Sequence, residues 1–135
     1  MTIAGPVVRY LIICEDIQTD AENPRKVTLV NLISTIRSKD EPPFPLLYRE
    51  LCVFVQLTEC RGKGDVSITI YHEVTGYIAY PGPSTPWSAS LPNDPLEVVG
   101  LRFRIRNIEF NEPGLYLVHF WYNGQKLAEQ PLLLR

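Results

Sequence analysis

Tyr116–Tyr122 (YLVHFWY), Asn123-Gly124 and Lys126–Leu134 (KLAEQPLLL) decide the fold. Two apolar runs flank the dipeptide best able to take positive φ at both of its positions, as a two-residue β-hairpin requires. Upstream, Asp65–His72 (DVSITIYH) sets Val66, Ile68 and Ile70 on one face and Ser67, Thr69 and Tyr71 on the other. That period of two is the mark of a half-buried strand. Val7–Cys14, Lys26–Ile36, Tyr48–Glu59, Tyr77–Tyr80 and Leu96–Phe110 are also alternating or β-branched, which makes seven or eight strands in all. The 12 prolines and 8 glycines cut the chain so often that no long helical pattern survives. Turns are expected at Arg61–Gly64 and Glu73–Gly76, giving a meander. The reading is an all-β chain: residues 1–135 as a single antiparallel two-sheet β-sandwich, immunoglobulin-like with Greek-key connections.

A chain of 135 residues and 15.4 kDa can bury about two-thirds of its extended surface, so its core needs neither metal nor disulfide. The formal charge of −2 argues against a dedicated nucleic-acid binder held by counterion release. The apolar runs, such as Leu51–Val55 and Pro131–Leu134, are far too short to span a bilayer. Met1–Val8 lacks the basic and apolar regions of a secretory signal, which makes the cytoplasm the expected location. Cys14, Cys52 and Cys60 are odd in number and form no CxxC pair, so they are expected as reduced thiols, mostly in the core.

Glu112-Pro113-Gly114-Leu115-Tyr116 enters a late strand, and its Gly-x-Tyr resembles the tyrosine corner of Greek-key sandwiches, in which the phenol bonds to backbone upstream. Pro113–Tyr116, Tyr122–Leu127 and Pro131–Leu134 together resemble the C-terminal half of a family of small bacterial and phage proteins, a domain of unknown function. Leu11–Cys14 with Glu15-Asp16, then Val27–Leu32 and Pro43-Phe44-Pro45, is similar to the same family's opening. The resemblance touches both ends of the chain. It implies a β-sandwich and carries over no catalytic residue.

Only His72 and His119 could serve as a catalytic imidazole, and neither has a nucleophile or metal ligand at a useful spacing. The sequence holds no Gly-x-Ser-x-Gly, Walker loop, dinucleotide fingerprint or His-Glu-x-x-His. No enzyme, metal or other cofactor is therefore expected. Glu15, Asp16, Asp20, Glu22 and Asn23 supply oxygen ligands enough for Ca²⁺, but their spacing matches no EF-hand, and such residues commonly serve as turn formers.

Two features suggest a surface. Arg102, Arg104 and Arg106 alternate with Leu101, Phe103 and Ile105, so three guanidinium groups should share one strand face. They could meet successive phosphates or a row of a partner's carboxylates, pair with acids on neighbouring strands of the same chain, or simply be solvated. Between Tyr77 and Pro95, five prolines (Pro81, Pro83, Pro86, Pro92, Pro95) interleave with Tyr77, Tyr80 and Trp87. A stiff loop could display Trp87 to a protein or a sugar ring, or Trp87 could fold back as a lid on the sandwich. Pro42–Pro45 is expected to carry the chain between sheets with Phe44 tucked inward. In Tyr48–Glu59, Cys52 and Phe54 fall on the outer face, which calls for cover from a second subunit or the proline-rich loop. The expected function is a non-enzymatic protein-interaction or structural module that docks another protein or a second copy. The alternative is a carbohydrate or other small-ligand binder using segment 77–95.

Overall fold

In the computed structural model, which describes residues 5–60, 63–88 and 96–135, Asn123 and Gly124 take φ of 51° and 76°. They join β9 (Gly114–Tyr122) to β10 (Gln125–Leu134) as the expected hairpin. The turn is also docked sideways, because Asn123 N–H donates to the Asp65 carbonyl at 2.8 Å and the Asn123 amide oxygen accepts from Asp65 N–H at 2.9 Å.

Among the described residues ten strands form two stacked sheets. One sheet runs β2 (Val27–Leu32), β1 (Val7–Thr19), β4 (Leu46–Thr58), β8 (Val99–Phe110), all antiparallel. The other runs β3 (Thr35–Ile36), β10, β9, β5 (Lys63–His72), with β6 (Ile78–Tyr80) and β7 (Thr85–Ser88) in succession along the far side of β5. The expected sandwich is present, with more strands than seven or eight because the run expected at Lys26–Ile36 divides into β2 and β3 and because β7 is added within the proline-rich segment. It is not wholly antiparallel either. After β2 the chain crosses to the other sheet at Ser34, and β3 meets β10 running in the same direction, opposite Leu133 and Leu134.

The simple meander is also corrected. β4 and β5 lie in different sheets, so the connection between them crosses the sandwich. Arg61 and Gly62 of the expected turn lie outside the described residues, and Lys63 and Gly64 already belong to β5. Residues 37–45 return the chain from β3 to β4, with Phe44 packed on the core as expected of the proline knot.

Val53, Val55 and Leu57 from β4, Ile68 and Ile70 from β5, Tyr116, Val118 and Phe120 from β9, and Leu132 and Leu134 from β10 fill the space between the sheets. Burying an aliphatic side chain of this size contributes about 1.5–3 kcal/mol. The entry to β9 is built around Tyr116, whose hydroxyl donates to the Glu112 carbonyl at 2.7 Å; this is the expected tyrosine corner. His72 completes it from β5. Its Nε2 bonds the Pro113 carbonyl at 3.0 Å, and its Nδ1 accepts from the N–H groups of Val74 and Thr75 at 3.2 and 3.1 Å. Gly114, at φ 130°, is required there, because a Cβ would sit 2.5 Å from His72 Nε2. Both histidines are thus buried structural groups: His119 lies between Glu129 Oε2 at 3.0 Å and the Tyr71 hydroxyl at 3.3 Å.

Tyr116→Phe keeps the ring and removes the hydroxyl, which donates to the Glu112 carbonyl and accepts from Glu112 N–H at 3.4 Å, leaving both groups short of a partner. It should lower unfolding free energy by about 1–2 kcal/mol with an unchanged urea m-value. Urea denaturation followed by tryptophan fluorescence measures both.

Candidate functional site

β8 follows its sequence pattern, with Leu101 and Ile105 buried inward, Phe103 half-buried behind them, and Arg102, Arg104 and Arg106 exposed. The three guanidinium groups do not simply project into solvent. Arg104 bonds Asp16 Oδ1 at 2.9 Å and Glu50 Oε2 at 3.3 Å, and Arg106 bonds Glu50 Oε1 at 3.1 Å. Arg102 donates to Thr19 Oγ1 at 2.6 Å and to the Pro24 carbonyl at 2.8 Å. These acceptors explain the fate of the apolar outer face. β1 pairs with β4 only as far as Cys14, then leaves it and continues with β2 alone to Thr19. The hairpin arm so formed packs Ile17, Val27 and Leu29 over Cys14, Cys52 and Phe54. The cover anticipated from a second subunit or the proline-rich segment is supplied by the chain's own first hairpin, and the arginines hold it down.

The clamp shapes local electrostatics. The Arg104 guanidinium bonded to Asp16 holds that carboxyl below the usual carboxylate value of 3.8. Under the arm, burial, and next the neighbouring Cys52, push the Cys14 thiol up to about 11; burial raises Cys52 as well. All three cysteines are buried and free. The acidic stretch is divided among separate tasks. Glu15 accepts from Asn31, Asp16 meets Arg104, Asp20 accepts the N–H groups of Glu22 and Asn23, and Asn23 accepts that of Arg25. Glu15–Thr19 is strand rather than loop, and among the described residues no three His, Cys, Asp or Glu side chains gather to hold a metal ion.

The proline-rich segment is, over its described part, an interrupted edge strand rather than a displayed loop. β6 and β7 pair with the two ends of β5, and Gly82 lets the backbone between them close on β5, where a Cβ would strike the Ile68 carbonyl. Proline suits such an edge because its missing N–H faces no strand. Pro92 and Pro95 lie outside the described residues. Trp87 is half-buried against the core, edge-on to Tyr122 with ring centres 6.5 Å apart. It stands opposite Gly64, whose absent side chain makes room for the Tyr122 ring.

β8 ends one sheet and β6–β7 end the other on the same side, so the two sequence features meet. Tyr80, Pro83, Pro86 and Trp87 form one wall of a groove of about 340 Å³, with residues 101–105 of β8 as the other wall and Val66 and Ile68 also lining it. Arg102 and Arg104 reach this groove, whereas Arg106 lies just beyond it. Tyr77 stands apart, donating its hydroxyl to the Glu109 carbonyl at 3.0 Å and closing the far end of the β8 edge. Neither histidine lines the groove. What sequence reading missed was the arm; its one signal was the apolar Ile17 set among the polar residues that follow Cys14.

This architecture defines an all-β sandwich with a groove between β8 and the β6–β7 edge, and no helix of the described residues is long and apolar enough to cross a membrane. The chain belongs to the family of unknown function DUF6941, whose model matches residues 9–135. No curated protein matches it. Among solved structures it is similar to the Pseudomonas fluorescens alkylpurine DNA glycosylase AlkC bound to DNA containing an abasic site analog, with TM-score 0.51 and 15% identity, covering 98% of this chain and 31% of that one. It is also similar to a β-glucosidase from Listeria innocua in complex with glucose, with TM-score 0.50 and 11% identity, covering 93% of this chain and 16% of that one. The chain therefore spans a third or less of either protein, and at these identities the likeness is one of fold alone.

Because Asp16 has its carboxyl depressed in the folded state, its contribution to stability is complete above the ordinary value of 3.8 and is lost as pH falls through the lower folded value. Asp16→Asn should therefore be less stable than wild type near neutrality, and the difference should shrink on acidification below that value. Urea midpoints of both proteins across an acid pH series check the sign.

Proposed function

We propose that the chain is a single-domain, non-enzymatic interaction module that docks another protein in the groove between β8 and the β6–β7 edge. One observation carries this reading: the structure brings an open strand edge and a proline-stiffened aromatic wall, 15 residues apart at Trp87 and Arg102, to opposite sides of a single groove. Stiff walls lose little conformational entropy on binding, and half-buried aromatics such as Tyr80 and Trp87 are suited to interface cores. Arg102 and Arg104 add donors at the rim. The fold's recurrence as a minor part of two much longer, unrelated enzymes is in keeping with an immunoglobulin-like module that works beside other polypeptides. Three buried free thiols support a reducing, cytoplasmic setting. A bacterial host is suggested by the family resemblance alone.

A photo-crosslinking residue placed at exposed Pro83 should give, in the source cells, a discrete adduct with another polypeptide. The same residue at Val74, 85% exposed on the turn before β6, should not. Absence of the Pro83 adduct, or equal labelling from both positions, would refute the assignment.

A further inference from the structure

Resting on that reading of the groove, we propose that its occupant is an extended acidic segment of another protein, added as a strand along β8, with apolar residues alternating between the acidic ones. The two sheet edges that flank the groove differ in kind. The β6–β7 edge is blunted by Pro81, Pro83 and Pro86, as protected edges commonly are. β8 is the last strand of its sheet among the described residues, is 12 residues long, and contains no proline. Among the described residues no strand pairs with the outer edge of β8 from Val99 to Arg106; beyond that Asn107 takes φ 55° and the Glu109 carbonyl is occupied by Tyr77. Strand addition to such an edge draws affinity from main-chain bonds and specificity from alternate side chains.

The alternation sets the occupant's chemistry. On a strand added beside β8, one set of side chains enters the groove against Leu101, Phe103, Tyr80 and Trp87. The other set lies on the outer face next to Arg102, Arg104 and Arg106, at the 4.5–5.5 Å typical of cross-strand neighbours. Among the described residues that face carries three guanidinium groups and two carboxylates bonded to them: Arg104 and Arg106 share Asp16 and Glu50, and Arg102 meets the uncharged acceptors Thr19 and Pro24. Acidic residues on the incoming strand complete it. A second copy of the chain is disfavoured by the same row, since antiparallel pairing of β8 with itself about Phe103 sets Arg102 opposite Arg104, and like charges in that position repel.

Three peptides of about seven residues, a common strand length, test this by titration into the labelled full chain with backbone amide NMR as readout. Alternating Glu and Val should shift the amides of residues 99–106 saturably. Alternating Lys and Val should bind about tenfold more weakly or not at all, and the Glu–Val peptide N-methylated at alternate positions along the pairing edge should lose binding. Arg106→Ala, at an exposed side chain outside the core, should weaken the first peptide without unfolding the chain. Equal binding of both charges, undiminished binding of the N-methylated peptide, shifts centred elsewhere, or a concentration-dependent dimer that buries β8 would each overturn the proposal. If the peptides fail while the Pro83 adduct persists, only the acidic-strand occupant falls; if both fail, the groove falls with it.

Discussion

The middle of β4 is apolar on both sides. Leu51, Cys52, Val53, Phe54 and Val55 are buried in succession, which a strand on the surface of a sandwich cannot achieve with only one partner layer. Much of the rest follows from covering both faces. The second sheet covers Leu51, Val53 and Val55. Cys52 and Phe54 need another layer, and β1 provides it by bending away after Cys14 and folding back with β2 as an arm. An arm of a few residues buries little surface by itself, so it is tied to β8 by side chains that reach across β4. The arginine row stands where that fastening is needed.

This arrangement leaves the molecule lopsided. With the outer face of the first sheet occupied by the arm, the open ground lies at the sheet edges, and there the chain treats its two edges differently. Prolines and Gly82 finish the second sheet while holding Tyr80 and Trp87 in fixed positions. β8, by contrast, keeps its backbone along one side of the groove. Packing demands at β4 and the proline pattern of segment 77–88 thus jointly shape the groove between β8 and the β6–β7 edge. The tyrosine corner and His72 fasten the ends of β9 and β5, where His72 stands opposite Tyr116 in the register of the two strands.

Several parts of this were legible from residues alone, and the reason is locality. The hairpin at Asn123-Gly124, the corner at Tyr116, the half-buried β5 and the inward and outward sets on β8 each depend on dihedral preferences and a period of two within a few positions. The apolar character of Cys52 and Phe54 was also visible, as was their need for cover. The identity of the cover was not, because the residues that decide it, Asp16 and Arg104, are 88 positions apart. For the same reason the row of arginines and the proline-rich segment read as two separate surfaces, and Thr85–Trp87 as part of a loop rather than an edge strand.

What the sequence by itself determined is therefore the class of fold, the faces of its strands, its turns and the candidate residues, all consequences of short-range sterics and alternation. Only the tertiary structure decided the sheet order, the parallel pairing of β3 with β10, the arm over the outer face, and the meeting of Trp87 with β8 around a groove. Those depend on which apolar face covers which, a choice made by long-range packing and charge pairing that no local pattern encodes.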